Sequence, residues 1–189
     1  MQMRTQSKKH KIIRTVLLVI LLFLIVAAGG FISVYEGRFQ TISSIQKVTD
    51  YDEYNLYRMD VKYDYDLDRL IEYGITDNQS FVDAIVKEAL PILPVHIKAP
   101  DFGCSAFTLQ EADGNVLMGR NYDFKRDTSA MLVYCEPEDG YKSVAFAALD
   151  NISANIPDAS MKKKLATLTA PFICLDGMNE KGVSIAVLT

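Results

Sequence analysis

Histidine is almost missing from this chain of 189 residues, with only His10 and His96 present. A cysteine–histidine catalytic pair or a zinc site needs a second group at ligand spacing, and neither histidine has one. The three cysteines, Cys104, Cys135 and Cys174, are an odd number and imply no disulfide framework. Acidic residues are absent from the first 35 positions, where Arg4, Lys8, Lys9, Lys11 and Arg14 stand unopposed. The remainder then holds 15 basic against 24 acidic side chains, a net of −9. That balance argues against nucleic acid as a partner. The spacing of potential ligands suggests neither a metal nor a cofactor.

From Thr15 to Tyr35 charge of either sign is absent, and Val, Leu, Ile and Phe dominate these 21 residues. At about 1.5 Å per residue they span a bilayer core of roughly 30 Å. The basic tail 1–14 belongs on the cytoplasmic side, which puts the chain after residue 35 outside the cytoplasm. Ala27-Ala28-Gly29-Gly30 offers a cleaved signal peptide as the alternative. The apolar run continues past those small residues, so a single-pass anchor at 15–35 is the reading adopted.

Residues 36–103 read as an extracytoplasmic N-terminal extension or pro-region of mixed α/β character. Tyr57 to Tyr63 alternates as a strand would, and the tyrosines around it suit a half-buried sheet edge. Leu67 to Tyr73 and Ser80 to Leu90 have helical spacing. In the second, Phe81, Ile85, Ala89 and Leu90 share a face, and Asp77 or Asn78 is the candidate N-cap. Pro91 and Pro94 stop it, and an extended connector runs on to Gly103.

At Cys104 the pattern changes. Cys104 to Leu109 is a short apolar and β-branched run, Asp113-Gly114 supplies a turn, and Val116 to Arg120 runs back. Such a hairpin brings Cys104 to the same end of a sheet as Arg120 and Asp123. A nearby cation lowers a thiol's pKa and makes it a nucleophile. Further on, 130–135 and 143–149 read as two more strands, and 150–166 as a polar excursion whose Lys162-Lys163-Lys164 run is a solvated face. Phe172 to Leu175 and Val183 to Leu188 bracket a turn at Asn179-Glu180-Lys181-Gly182. Cys135 and Cys174 fall inside apolar strand patterns and read as core thiols.

Cys104-Ser105-Ala106-Phe107, then Gly119-Arg120-Asn121-Tyr122-Asp123, then Asp176-Gly177-Met178-Asn179-Glu180-Lys181-Gly182 resemble the choloylglycine hydrolase family of linear-amide C–N hydrolases. Bile salt hydrolases and penicillin V acylase belong to it. The resemblance implies an α+β fold, the αββα sandwich of the N-terminal-nucleophile (Ntn) hydrolases, with antiparallel strands over 104–189. It implies that the bond between Gly103 and Cys104 is cut, that Cys104 is the nucleophile, and that Arg120 and Asp123 complete the catalytic set. Asn121 and Thr189 are weaker candidates for oxyanion or substrate contacts. Thr189 stands where bile salt hydrolases carry an asparagine, which puts bile salt specificity in doubt. The shortage of histidine fits this scheme, because a freed α-amine, with a reference pKa of about 7.7–8.0, can act as the base.

The family's catalytic domain is considerably longer than residues 104–189, so this chain is expected to be the N-terminal part of a larger one. The activity expected is hydrolysis of linear acyl amides through a thioester, with a small acyl amide and the membrane as partners and homo-oligomerisation left open. Acyl transfer by the same residues is one alternative, and a non-catalytic anchored module is another.

Overall fold

The uncharged N-terminal run forms a helix, α1, Gln2–Ser43. In the computed structural model, residues 2–52, 54–99, 104–122 and 128–187 are described, with side chains except those of 2–9, 104 and 159. From His10 to Ser43 α1 is long and apolar enough to cross a membrane. Its large apolar side chains from Ile12 to Val26 are all exposed, Phe23 by 71%. A helix apolar on every side finds its stable surroundings in lipid or in a large core, and this stretch meets no core of its own chain. The chain divides into two units, Met1–Glu36 and Gly37–Thr189.

In the second unit β1, Gln46–Lys47, and β2, Leu56–Asp60, come first. Helices α2, Leu67–Glu72, and α3, Asn78–Ala89, follow. Asp77 is the N-cap of α3, accepting from the Ser80 amide at 2.7 Å while its own amide donates to Ser80 Oγ at 2.9 Å. Hydrogen bonds from Ser80 hold the Asp77 carboxyl below its ordinary range. Of the face expected on α3, Ile85, Ala89 and Leu90 are buried, joined by Val82 and Val86, while Phe81 is exposed. Glu88 is buried on the same helix, and Arg69 grips it with two bonds of 2.9 and 2.8 Å.

A hairpin of β3, Cys104–Gln110, and β4, Val116–Tyr122, forms a two-stranded sheet of its own. Strands β5, Ala130–Cys135, and β6, Ser143–Ala148, are where the sequence put them. Beyond α4, Met161–Ala166, come β7, Asp176–Asn179, and β8, Ser184–Ala186. With β1 and β2 these make a six-stranded sheet of order β1-β2-β5-β6-β7-β8. The architecture is mixed α+β, and the strand pairings from residue 104 onward are antiparallel.

Three expectations are corrected. Strand β2 is no sheet edge: β1 and β5 flank it, and it runs parallel to β5, turning Tyr57 and Met59 into the core. Residues 150–166 are no polar excursion. They hold short helical turns at Leu149–Ile152 and Pro157–Ala159, and bury Asn151, Ile152 and Ala154. Phe172 to Leu175 is no strand, since a 3-10 turn, Thr167–Phe172, occupies its start and the third motif itself forms β7. In each case packing against a neighbour outweighed local pattern.

One core cluster joins Tyr57, Met59, Val61, Ala89 and Leu90 to Met131, Val133, Leu149 and Leu168. Burial pushes the thiols of Cys135 and Cys174 and the hydroxyls of Tyr63 and Tyr65 up. Folded, the Cys174 thiol stays neutral over this range; unfolded, a thiol ionises near pH 8.5. The unfolded state then binds fewer protons, so the thiol's contribution to stability is level below about pH 8.5 and falls above it. Denaturant unfolding of the detergent-solubilised protein from pH 7 to 10 should show that decline. Cys174→Ala should reduce its slope by one proton, about 1.4 kcal/mol per pH unit. An unchanged slope would mean that Cys174 titrates normally in the fold.

Candidate active site

The hairpin register is Cys104↔Tyr122, Ala106↔Arg120 and Phe107↔Gly119. A Cβ on residue 119 would collide with the ring of Phe107. Glycine at 119 therefore lets the aromatic ring of the first motif close over the backbone of the second and fixes their register. That register sets Arg120 diagonally across from Cys104, at about 7–8 Å for neighbours of this kind.

From there Arg120 reaches out of the hairpin. Its Nη1 donates to Asp176 Oδ2 at 3.2 Å and its Nη2 to the Val187 carbonyl at 3.2 Å. The two charged side chains keep 7% and 17% of their exposure, so this is a largely desolvated ion pair. Asp176 opens β7, the third motif. Its neighbour Gly177 lies opposite Ala145, where a Cβ would stand 2.9 Å from that of Ala145, so glycine permits the close approach of β7 to β6. Asn179 Oδ1 then accepts from the amides of Lys181 and Val183 at 3.0 and 3.1 Å, capping the turn to β8.

Tyr122, the register partner of Cys104, donates its hydroxyl to Asn151 Oδ1 at 3.1 Å. Asn151 lines a cavity of about 880 Å³ between the connector Leu90 to Ala99 and the turns after β6. The lining combines apolar Leu90, Ile97 and Ile152 with Lys98 and Lys163. Asn151 Nδ2 and Asp150 Oδ1 are buried and find no partner among the described residues. Volume and lining fit a small amphiphile held by a few polar groups.

Of the residues singled out in the sequence, Cys104 is the first residue of β3, and Arg120 is bound to Asp176. Asn121 is an exposed residue of β4, opposite Ser105. Gly103, Asp123 and Thr189 lie outside the described residues. Lys162 and Lys163 line the cavity, which the reading as a solvated face did not foresee. His96 is exposed, with Nδ1 3.5 Å from Asp83. No group of three or more metal-ligating side chains is found among the described residues. Cys135 and Cys174 are poor nucleophiles, since burial favours their neutral thiols and Cys174 Sγ donates to the Ala170 carbonyl at 3.2 Å. Asp176, Tyr122 and Asn151 were missed as site residues, although the first two stand inside the motifs.

Removing Arg120 would leave the largely desolvated Asp176 carboxylate without its ion-pair partner. Arg120→Ala should cost about 3 kcal/mol in denaturant unfolding, and Arg120→Lys should recover only part, because an ammonium cannot serve both acceptors with a planar fork. The double variant Arg120→Ala/Asp176→Ala should be more stable than Arg120→Ala alone. Additive costs would mean that the pair is not coupled.

No curated protein and no solved structure matches the chain. A family model does: residues 104–189, less than half of the chain, match the linear amide C–N hydrolases, choloylglycine hydrolase family. The match opens on Cys104 and takes in all three motifs. Over residues 104–189 the chain is therefore similar to the choloylglycine hydrolase family.

Proposed function

We propose that this protein is a membrane-anchored cysteine amidase that hydrolyses linear acyl amides. The observation that supports this reading is where the family match begins, at Cys104, the first residue of β3 and diagonal in the hairpin register to Arg120. An Ntn hydrolase needs its nucleophile at the first position of the catalytic segment. Its αββα sandwich is the fold that the family implies for residues 104–189.

In this mechanism the Gly103–Cys104 bond is cut and the α-amine of Cys104 is freed. That amine takes the thiol proton, and the thiolate attacks the amide carbonyl carbon. The tetrahedral oxyanion is held by N–H donors, each worth about 3 kcal/mol of barrier. It collapses with expulsion of the amine, which leaves with the proton. Water then attacks the thioester and releases the carboxylic acid, returning the thiol. Asp123 would hold the α-ammonium group. Arg120, neutralised in part by Asp176, would set the hairpin geometry as well as the local field.

The basic tail and apolar α1 support an orientation with the N-terminus in the cytoplasm and residues after 35 outside it. The test of the chemistry is turnover of a panel of acyl amides by the full-length protein. Cys104→Ala should reduce release of free amine to the uncatalysed background without altering the unfolding transition. Equal turnover by wild type and Cys104→Ala would reject the reading.

A further inference from the structure

We infer that residues 37–99 are a permanent subunit of the catalytic unit, and that they keep residues 104–189 at the membrane after the bond before Cys104 is cut. The cut rests on the function proposed above; the interface does not. A removable pro-segment would lie on a surface that is complete without it. Here β2 supplies five register pairs to β5, Leu56↔Ala130 through Asp60↔Tyr134. The ladder extends at both ends, with the Ala130 amide on the Asn55 carbonyl at 3.1 Å and the Val61 amide on the Tyr134 carbonyl at 2.8 Å. Taking β1 and β2 away would leave β5 as the bare edge of a four-stranded sheet.

The core is shared in the same way. Met59 and Ala89 from before the cut, and Met131 and Leu168 from after it, are each fully buried in one cluster. Tyr63 donates its hydroxyl to the Leu168 carbonyl, and the Arg58 guanidinium lies 4.3 Å from the centre of the Tyr134 ring. Separation would expose apolar surface on both pieces, the same cost that opposes unfolding. The cavity is also composite: Leu90 to Ala99 form one wall, and Asp150 to Ala166 supply the other. Loss of 37–99 would remove one of its walls. Because residues 37–99 continue from α1, the apolar helix would hold both pieces at the bilayer.

The test uses the full-length protein in isolated membranes, with Cys104→Ala to prevent any self-cleavage. A viral-protease recognition sequence is inserted between Ala99 and Pro100 and then cut. More than nine-tenths of the C-terminal piece should stay in the membrane pellet through a high-salt wash, leaving only at urea concentrations that unfold the uncut protein. Met59→Ala in the same background should lower the urea needed for release. Recovery of the C-terminal piece in the native wash would overturn the inference. Should the insertion itself unfold the protein, wild type carries the test: its two natural fragments must co-elute in detergent by size exclusion, and separate elution overturns the claim. Wild type that stays uncut would reject the proposed maturation, leaving the engineered cut to decide the interface.

Discussion

The ion pair between Arg120 and Asp176 is the interaction on which the candidate site depends. A largely desolvated pair of this kind contributes little net stability against apolar contacts of the same size, yet losing one member is costly. Its value here is geometric. Hairpin β3–β4 has a sheet to itself, with the aromatic side chain of Phe107 and the aliphatic ones of Leu109, Val116 and Leu117 exposed. Arg120 ties that hairpin to the start of β7, and Tyr122 ties it to Asn151 after β6. Tyr122, the residue opposite Cys104, is thereby bonded to Asn151, which lines the cavity.

The three motifs become one device in this light. Phe107 of the first closes over Gly119 of the second, and Arg120 of the second binds Asp176 of the third. Gly177 and Asn179 then let β7 approach β6 and turn back into β8. Much of the three motifs is therefore support for one register, within which Cys104 takes its place at the start of β3. The same economy holds for the N-terminal segment, whose strand β2 and helix α3 complete the core that residues after 104 begin.

Local signals carried most of the elements. The uncharged run gave α1, Asp77 gave the start of α3, and Asp113-Gly114 gave the hairpin turn. What could not be read locally was partnership over distance. Nothing in Leu56 to Asp60 announces a parallel pairing with a strand some seventy residues later. Asn151 looks like a polar loop residue until Tyr122 is bonded to it. Asp176 was visible as part of a motif, but its role depends on Arg120 from another sheet. Asp123, by contrast, was singled out for its spacing and lies outside the described residues.

The proposed amidase requires Cys104 to become an N-terminus. The most direct measurement is N-terminal sequencing of every polypeptide in the protein purified from its native membranes. The account predicts a species beginning Cys104-Ser105-Ala106-Phe107, present in wild type and lost in Cys104→Ala. A single species with no new terminus at Cys104 would contradict it.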